Sequence, residues 1–220
     1  MKGLLLNQYY SVKKSMLIYS IAGVLIASFL LFLSIPYTRM IGTLIVMLFL
    51  VTPSMEFLKR EAISGWDEFT IALPISRKKV IQSHYYFYLI LLTTATLIST
   101  TIVVISRLTT SSEHLNVSTF AMIINCISIV IVLGVFVFPM TYYMGSSRAD
   151  AIILSASFIS VLLYQGIALL YAATLQIVSE SLFPKINQDI IFSIFYLLFS
   201  LILLYLSYVF SKKIYESKEI

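Results

Sequence analysis

Six apolar runs separated by short polar stretches set the pattern of this chain. They cover about 17–35, 40–57, 85–106, 120–143, 151–173 and 190–210. At about 1.5 Å of rise per residue, each is long enough, or nearly so, to cross a hydrocarbon core of about 30 Å. The pattern predicts an all-α fold: an integral membrane bundle of six transmembrane helices, one domain over residues 1–220. The second run is short and has Pro53 near its end, which predicts little tilt or a kinked extension through Glu56 and Phe57. Pro139 interrupts the fourth. Basic residues ahead of Leu17 imitate a signal peptide, but the run to Ile35 is too long and no small-x-small cleavage site ends it. We read it as a span.

Three polar or mixed segments carry further pattern. In residues 1–16, Leu5, Leu6, Tyr9, Val12 and Met16 fall near helical spacing, with Lys2, Lys13 and Lys14 elsewhere. This predicts a separate amphipathic helix lying in the interface. Between the fifth and sixth spans, Leu175, Val178, Leu182 and Phe183 suit a short interfacial helix that Pro184 ends. The longest polar interruption is Glu56–Val80. It holds five of the fifteen basic residues and Trp66, the only tryptophan. Ile63, Trp66, Phe69, Ala72 and Leu73 give a short helix one apolar face, and Pro74 stops it. Ser76 is a plausible N-cap for the next helix. Arg77, Lys78 and Lys79 then crowd its first turn, where the helix dipole disfavours cations. Anionic headgroups or an acidic partner surface would hold that charge.

Composition agrees. The 220 residues are 60% hydrophobic and 11% charged, whereas soluble domains are about a quarter charged. The net charge of +5 does not point to nucleic acid, because the basic residues flank apolar runs instead of lining a groove. With both termini in the cytoplasm, twelve basic residues lie inside. Only Arg39, Arg107 and Lys185 lie outside. That bias satisfies the positive-inside rule and predicts a multi-pass protein of the cell membrane with both ends cytoplasmic. The lone Cys126 excludes an intrachain disulfide and a thiolate metal site; no metal ligands are expected.

Catalytic patterns are missing. No G-x-x-x-x-G-K-[ST] occurs, and none of the seven glycines is followed by lysine, so this chain has no such cradle for nucleotide phosphates. His84 precedes the third span and His114 lies in an outer loop, and no H-E-x-x-H exists. Glu56 and Arg60 read as an i,i+4 ion pair at a membrane edge. No catalytic residues and no cofactor in this chain are expected. Inside the spans the polar residues are mild. Thr93, Thr96 and Thr100 share one face, and Asn125 and Gln165 stand alone. These five are the candidates for lining a passage. The alternative, which we favour, is that the threonines bond their own backbone and the two amides bridge helices. Gly23-x-x-x-Ala27 and Ala168-x-x-x-Ala172 permit close helix approach.

One resemblance bears on function. The segment Gly65-Trp-Asp-Glu-Phe, followed by Ala72-Leu-Pro-Ile-Ser-Arg-Lys-Lys-Val, resembles the loop between spans two and three of ABC-2-type exporter permeases. The basic, amphipathic opening MKGLLLNQYY is similar to the family's N-terminal elbow helix, and would place Lys2, Tyr9 and Tyr10 in it. The likeness extends to compact Gram-positive permeases of the phenol-soluble-modulin and antimicrobial-peptide exporter type. It implies the transmembrane subunit of an ATP-driven exporter, pairing with a second permease chain as homo- or heterodimer. ATP and Mg would be bound by a separate cytoplasmic ABC ATPase. It also implies that Trp66, Phe69, Ala72 and Leu73, closed by Pro74, form a coupling helix that docks into that ATPase. Asp67, Glu68, Arg77 and Lys78 would be its charged rim. The alternative is a membrane-embedded ligand-binding or peptide-immunity protein with no ATPase partner. An interior without fixed charge suits an amphipathic or hydrophobic substrate, peptide or lipid-like, better than an ion or sugar.

Overall fold

A computed structural model describes residues 2–32, 36–65, 76–109, 117–145, 148–178 and 188–217. Six helices account for nearly all of these: α1 (Lys2–Phe32), α2 (Pro36–Ile63), α3 (Arg77–Thr109), α4 (Val117–Met144), α5 (Ala149–Val178) and α6 (Gln188–Ser217). Each contains a stretch long and apolar enough to cross a membrane. The chain is therefore an all-helical, six-span bundle.

The helices outrun the apolar runs at their polar ends. The third starts at Arg77, eight residues before the aromatic entry at Tyr85, and α2 continues to Ile63. A helix needs its backbone bonds satisfied but not its side chains apolar, so charged residues prolong it into the headgroup region. Glycines then stop two of them. Gly65 (φ 68°) follows α2 and Gly145 (φ 87°) follows α4, each in the left-handed conformation that ends helices at low steric cost. The Gly145 amide donates to the Thr141 carbonyl at 3.0 Å.

The N-terminal sixteen residues differ from expectation. They do not form a separate helix, because α1 runs unbroken from Lys2 to Phe32. Its buried positions, Gln8, Val12, Ser15, Gly23 and Ala27, make one stripe along the whole length. The stripe packs antiparallel on α2, so nothing releases the first turns to lie flat. Within this segment Val12 is buried, whereas Leu6 and Tyr9 face outward. Of the short helix expected near 174–189, Leu175–Val178 belong to the end of α5; Leu182, Phe183 and Pro184 lie outside the described residues.

The core sits on α2 and α4, the two most buried spans. Gly23 lets α1 approach closely: a Cβ there would meet Phe49 Cβ at 2.8 Å. The Gly23/Ala27 spacing is thus a contact with α2. Ala168, by contrast, only edges a small cluster with Phe192 and Tyr196, and Ala172 is exposed. Gly134 is the slot for fully buried Tyr88, whose hydroxyl donates to the Val130 carbonyl.

Along α6, Ser193, Ser200 and Ser207 recur every seven residues and are all buried. Small hydroxyl residues at that interval let two backbones approach where apolar burial supplies no driving force. Ser193 donates to the Ala121 carbonyl at 3.2 Å and Ser207 to that of Val135 at 2.9 Å. Both pairs are 72 residues apart, so α4 and α6 run parallel and in register. The carbonyl that Ser207 reaches is the one that Pro139, four residues on in the same helix and without an N–H, leaves unused.

Candidate functional site

The ends of α2 and α3 that carry the 66–75 connection lie at one pole of the bundle. The start of α1, the end of α4, the start of α5 and the end of α6 lie there with them. Cross-helix bonds place them together. On α2, Arg60 donates to Glu56 Oε1 through Nε and Nη2, at 3.0 and 2.7 Å. The same guanidinium reaches across to α1, donating to the Ser11 carbonyl at 2.9 Å and to Ser15 Oγ at 2.8 Å. Ser15 in turn donates to Glu56 Oε1 at 3.1 Å. The expected i,i+4 pair is present, and it also ties two helices together. Deeper, Gln8 Nε2 donates to Ser83 Oγ at 2.9 Å, joining α1 to α3.

Other contacts close the ring. Lys59 pairs with Asp150 at the start of α5, where a carboxylate also suits the helix dipole. Arg77 donates to the Glu216 carbonyl at the end of α6 at 3.2 Å. The helix-starting charge that seemed unplaced is thus partly held by the last turn of another helix, whose carbonyls lack intrahelical donors. Lys78 and Lys79 remain exposed, as do Lys13 and Lys14 on α1. The pole is strongly basic.

Within it lies a buried group that the sequence did not single out. His84 is 4% exposed and Glu61 8%. Nε2 of His84 is 3.2 Å from Glu61 Oε2, but the two are not aligned as a hydrogen bond; they form an ion pair only when the imidazole carries its second proton. Nδ1 is 2.5 Å from the Tyr142 hydroxyl on α4. Phe57 packs edge-on against the imidazole, and the Tyr142 ring lies nearly parallel to it, meeting it through the hydroxyl. Tyr215 on α6 packs edge-on against Tyr142. Beside Glu61 an open cleft of about 480 Å³ lies between α1 and α2, lined by Asn7, Ser11, Phe57, Arg60, Glu61, Ile63 and Ser64. His84 was set aside in the sequence because it precedes the apolar run. The signal was its place four residues from Tyr88 and three from Phe87 on a helix that begins earlier.

Most of the expected docking residues, Trp66, Asp67, Glu68, Phe69, Ala72, Leu73 and Pro74, lie outside the described residues. Arg77 and Lys78 stand at the start of α3, at the basic pole. The candidate passage residues are scattered. Thr93 is exposed on α3 and Thr96 and Thr100 are half-buried there, each hydroxyl donating to a carbonyl of its own helix at 2.8 to 2.9 Å. Asn125 is buried in α4, with no partner for Oδ1 among the described residues. Gln165 is exposed on α5, where it bridges no helices among the described residues.

Six apolar helices with one basic, tightly cross-linked pole define a multi-pass membrane protein of the transport-permease kind. The chain belongs to the ABC-2 family of transporter proteins: the family's model, described as ABC-2 family transporter protein, matches residues 3–216. No curated protein matches the sequence significantly. The family is one of membrane components of transporters, so the chain is a transport permease and its partners are of the ABC ATPase kind.

Proposed function

We propose that this permease is the membrane half of an ATP-driven exporter. Two permease chains pair, and each rests on a cytoplasmic ATPase subunit that binds ATP and Mg. Family membership over nearly the whole chain carries this reading. The lack of a phosphate-binding loop in the sequence is consistent with an engine in another chain. Both termini and the basic pole face the cytoplasm in this reading, as the twelve-to-three bias of basic residues requires. The helix through Trp66, Phe69, Ala72 and Leu73 docks in the ATPase, with Asp67, Glu68, Arg77 and Lys78 as rim charges that set orientation and on-rate more than affinity. Closure of the ATPases on ATP rocks the two permeases, and the substrate leaves outward by alternating access.

The substrate in this reading is amphipathic or hydrophobic, a peptide or lipid-like molecule. The middle of the spans offers hydroxyls and amides but no fixed charge, whereas ion and proton paths are marked by ionisable groups within the membrane. Co-expression with candidate ABC ATPase subunits from the same source provides the test. Co-purification and ATP-dependent movement of an amphipathic peptide in proteoliposomes are expected. Selective movement of a small ion instead would overturn the substrate assignment, and failure to retain any ATPase would overturn the exporter.

A further inference from the structure

We propose that Glu61, His84 and Tyr142 form a protonation-controlled tie that sets how closely the end of α2 is held to the start of α3. Those two ends carry the 66–75 connection, so the tie governs the geometry of whatever that connection engages. Its effect on an ATPase rests on the reading above; the tie itself does not.

Three observations support it. First, the group spans three helices within contact distance: Glu61 from α2, His84 from α3, Tyr142 from α4. Second, the neighbouring cation cannot substitute for His84, because Arg60 is occupied by Glu56, Ser11 and Ser15. Lys59 is drawn to Asp150. Third, Glu61 borders the open cleft, which gives protons a route to a site otherwise walled by Phe57, Tyr142 and Tyr215.

The chemistry follows from the donor inventory of the ring. In imidazolium both nitrogens donate. Nδ1–H then points to the Tyr142 oxygen, and Nε2–H lies against the Glu61 carboxylate as a charge pair in a low-dielectric setting. On deprotonation one nitrogen becomes an acceptor, and the lost proton passes to water in the cleft. The Tyr142 hydroxyl can donate to that nitrogen, but the Glu61 carboxylate loses its countercharge. A buried carboxylate without countercharge is costly, and its nearest relief is the water of the cleft on the α1 side. The end of α2 is thereby loosened from α3. The sign is fixed: the tie is complete when His84 is protonated and weakens once the imidazole loses its proton. Among the described residues the facing titratable and charged groups are Glu61 and, across the cleft, Arg60 from α2, Tyr142 from α4 and, behind it, Tyr215 from α6; the α1 wall contributes Asn7 and Ser11.

The test uses the full chain in nanodiscs with Cys126→Ala and spin labels at Ile63→Cys and Lys79→Cys, two exposed positions flanking the connection. We expect a narrow interlabel distance distribution at low pH and a longer, broader one at high pH. His84→Gln and Glu61→Gln should each abolish the pH response. A distance that ignores pH in the labelled parent overturns the proposal, as does a full response in Glu61→Gln. If His84→Gln does not insert, these two measurements still decide. ATPase retention is scored separately. A pH-responsive distance without ATPase binding supports the tie and counts against docking; ATPase binding with a pH-blind distance does the reverse.

Discussion

Ser207 supplies the donor that Pro139 withholds: its hydroxyl reaches the Val135 carbonyl, two helices away in sequence, at 2.9 Å. Because its one hydrogen is spent there, Ser207 must accept from the Tyr85 hydroxyl, 2.8 Å away. Tyr85 in turn accepts from Ser211 at 2.9 Å. One proline thus organises a relay through α3, α6 and α4. Hydrogen bonds within membrane bundles contribute about 0.6 kcal/mol on average and up to about 1.7. Ser207→Ala should cost an amount in the upper part of that range, read from unfolding in detergent. Combined with Pro139→Ala, which returns an N–H to the Val135 carbonyl, it should cost clearly less than it does alone.

Gly134 predicts a steric failure. A Cβ there would lie 2.7 to 2.8 Å from three atoms of the Tyr88 ring, and Tyr88 is fully buried. Gly134→Ala should destabilise by about 1–3 kcal/mol, as overpacking does. Adding Tyr88→Leu, which removes the clashing ring, should recover part of that loss. The same substitution at Gly3, where a Cβ meets nothing, should leave thermal stability unchanged.

The Lys59–Asp150 pair makes the opposite prediction. Asp150 is largely exposed, with 77% of its side chain accessible, and exposed pairs contribute less than about 1 kcal/mol. Asp150→Asn should therefore leave unfolding nearly unaltered, and what change there is should vanish in high salt.

For docking, Trp66→Ala with Phe69→Ala should abolish ATPase retention while membrane insertion stays normal. Retention at the unmodified level would remove the coupling role from this segment.

Orientation has its own measurement. A cysteine at Lys79 should react with an impermeant thiol reagent only from the cytoplasmic side. One at Ser118, exposed at the start of α4, should react only from outside. The reverse pattern would end the exporter reading, since no cytoplasmic engine could then reach residues 66–73.

Hydropathy made the six spans legible, because in hydrocarbon the backbone has no alternative to closed helices. It did not give their ends. Arg77–His84 lies outside the apolar run; capping chemistry at Ser76, not hydropathy, pointed to the helix that starts at Arg77, and neither showed that its inner face, with Ser83 and His84, is buried. Periodicity misjudged residues 1–16 for a related reason. Gln8 and Ser15 belong to the buried stripe, where Gln8 Nε2 bonds Ser83 on α3 and Ser15 bonds Glu56 on α2, while apolar Leu6 faces outward. Small residues were read correctly at Gly23 and Ala27. The seven-residue serine series of α6 passed unnoticed, since a serine carries no hydropathic signal and its value lies in which carbonyl it meets. Gln165 shows the limit from the other side: a polar residue in a span invites a bridging role, and here it faces away from the bundle.

The matched offset of Ser193 to Ala121 and Ser207 to Val135 fixes how α4 and α6 can travel. A slide by one helical turn would break both bonds and bring a bulkier side chain into the notches of Ser193 and Ser200. Sliding is thereby opposed along the length of the seam. In the exporter reading the two helices travel as a single slab, and opening and shutting fall to the other seams.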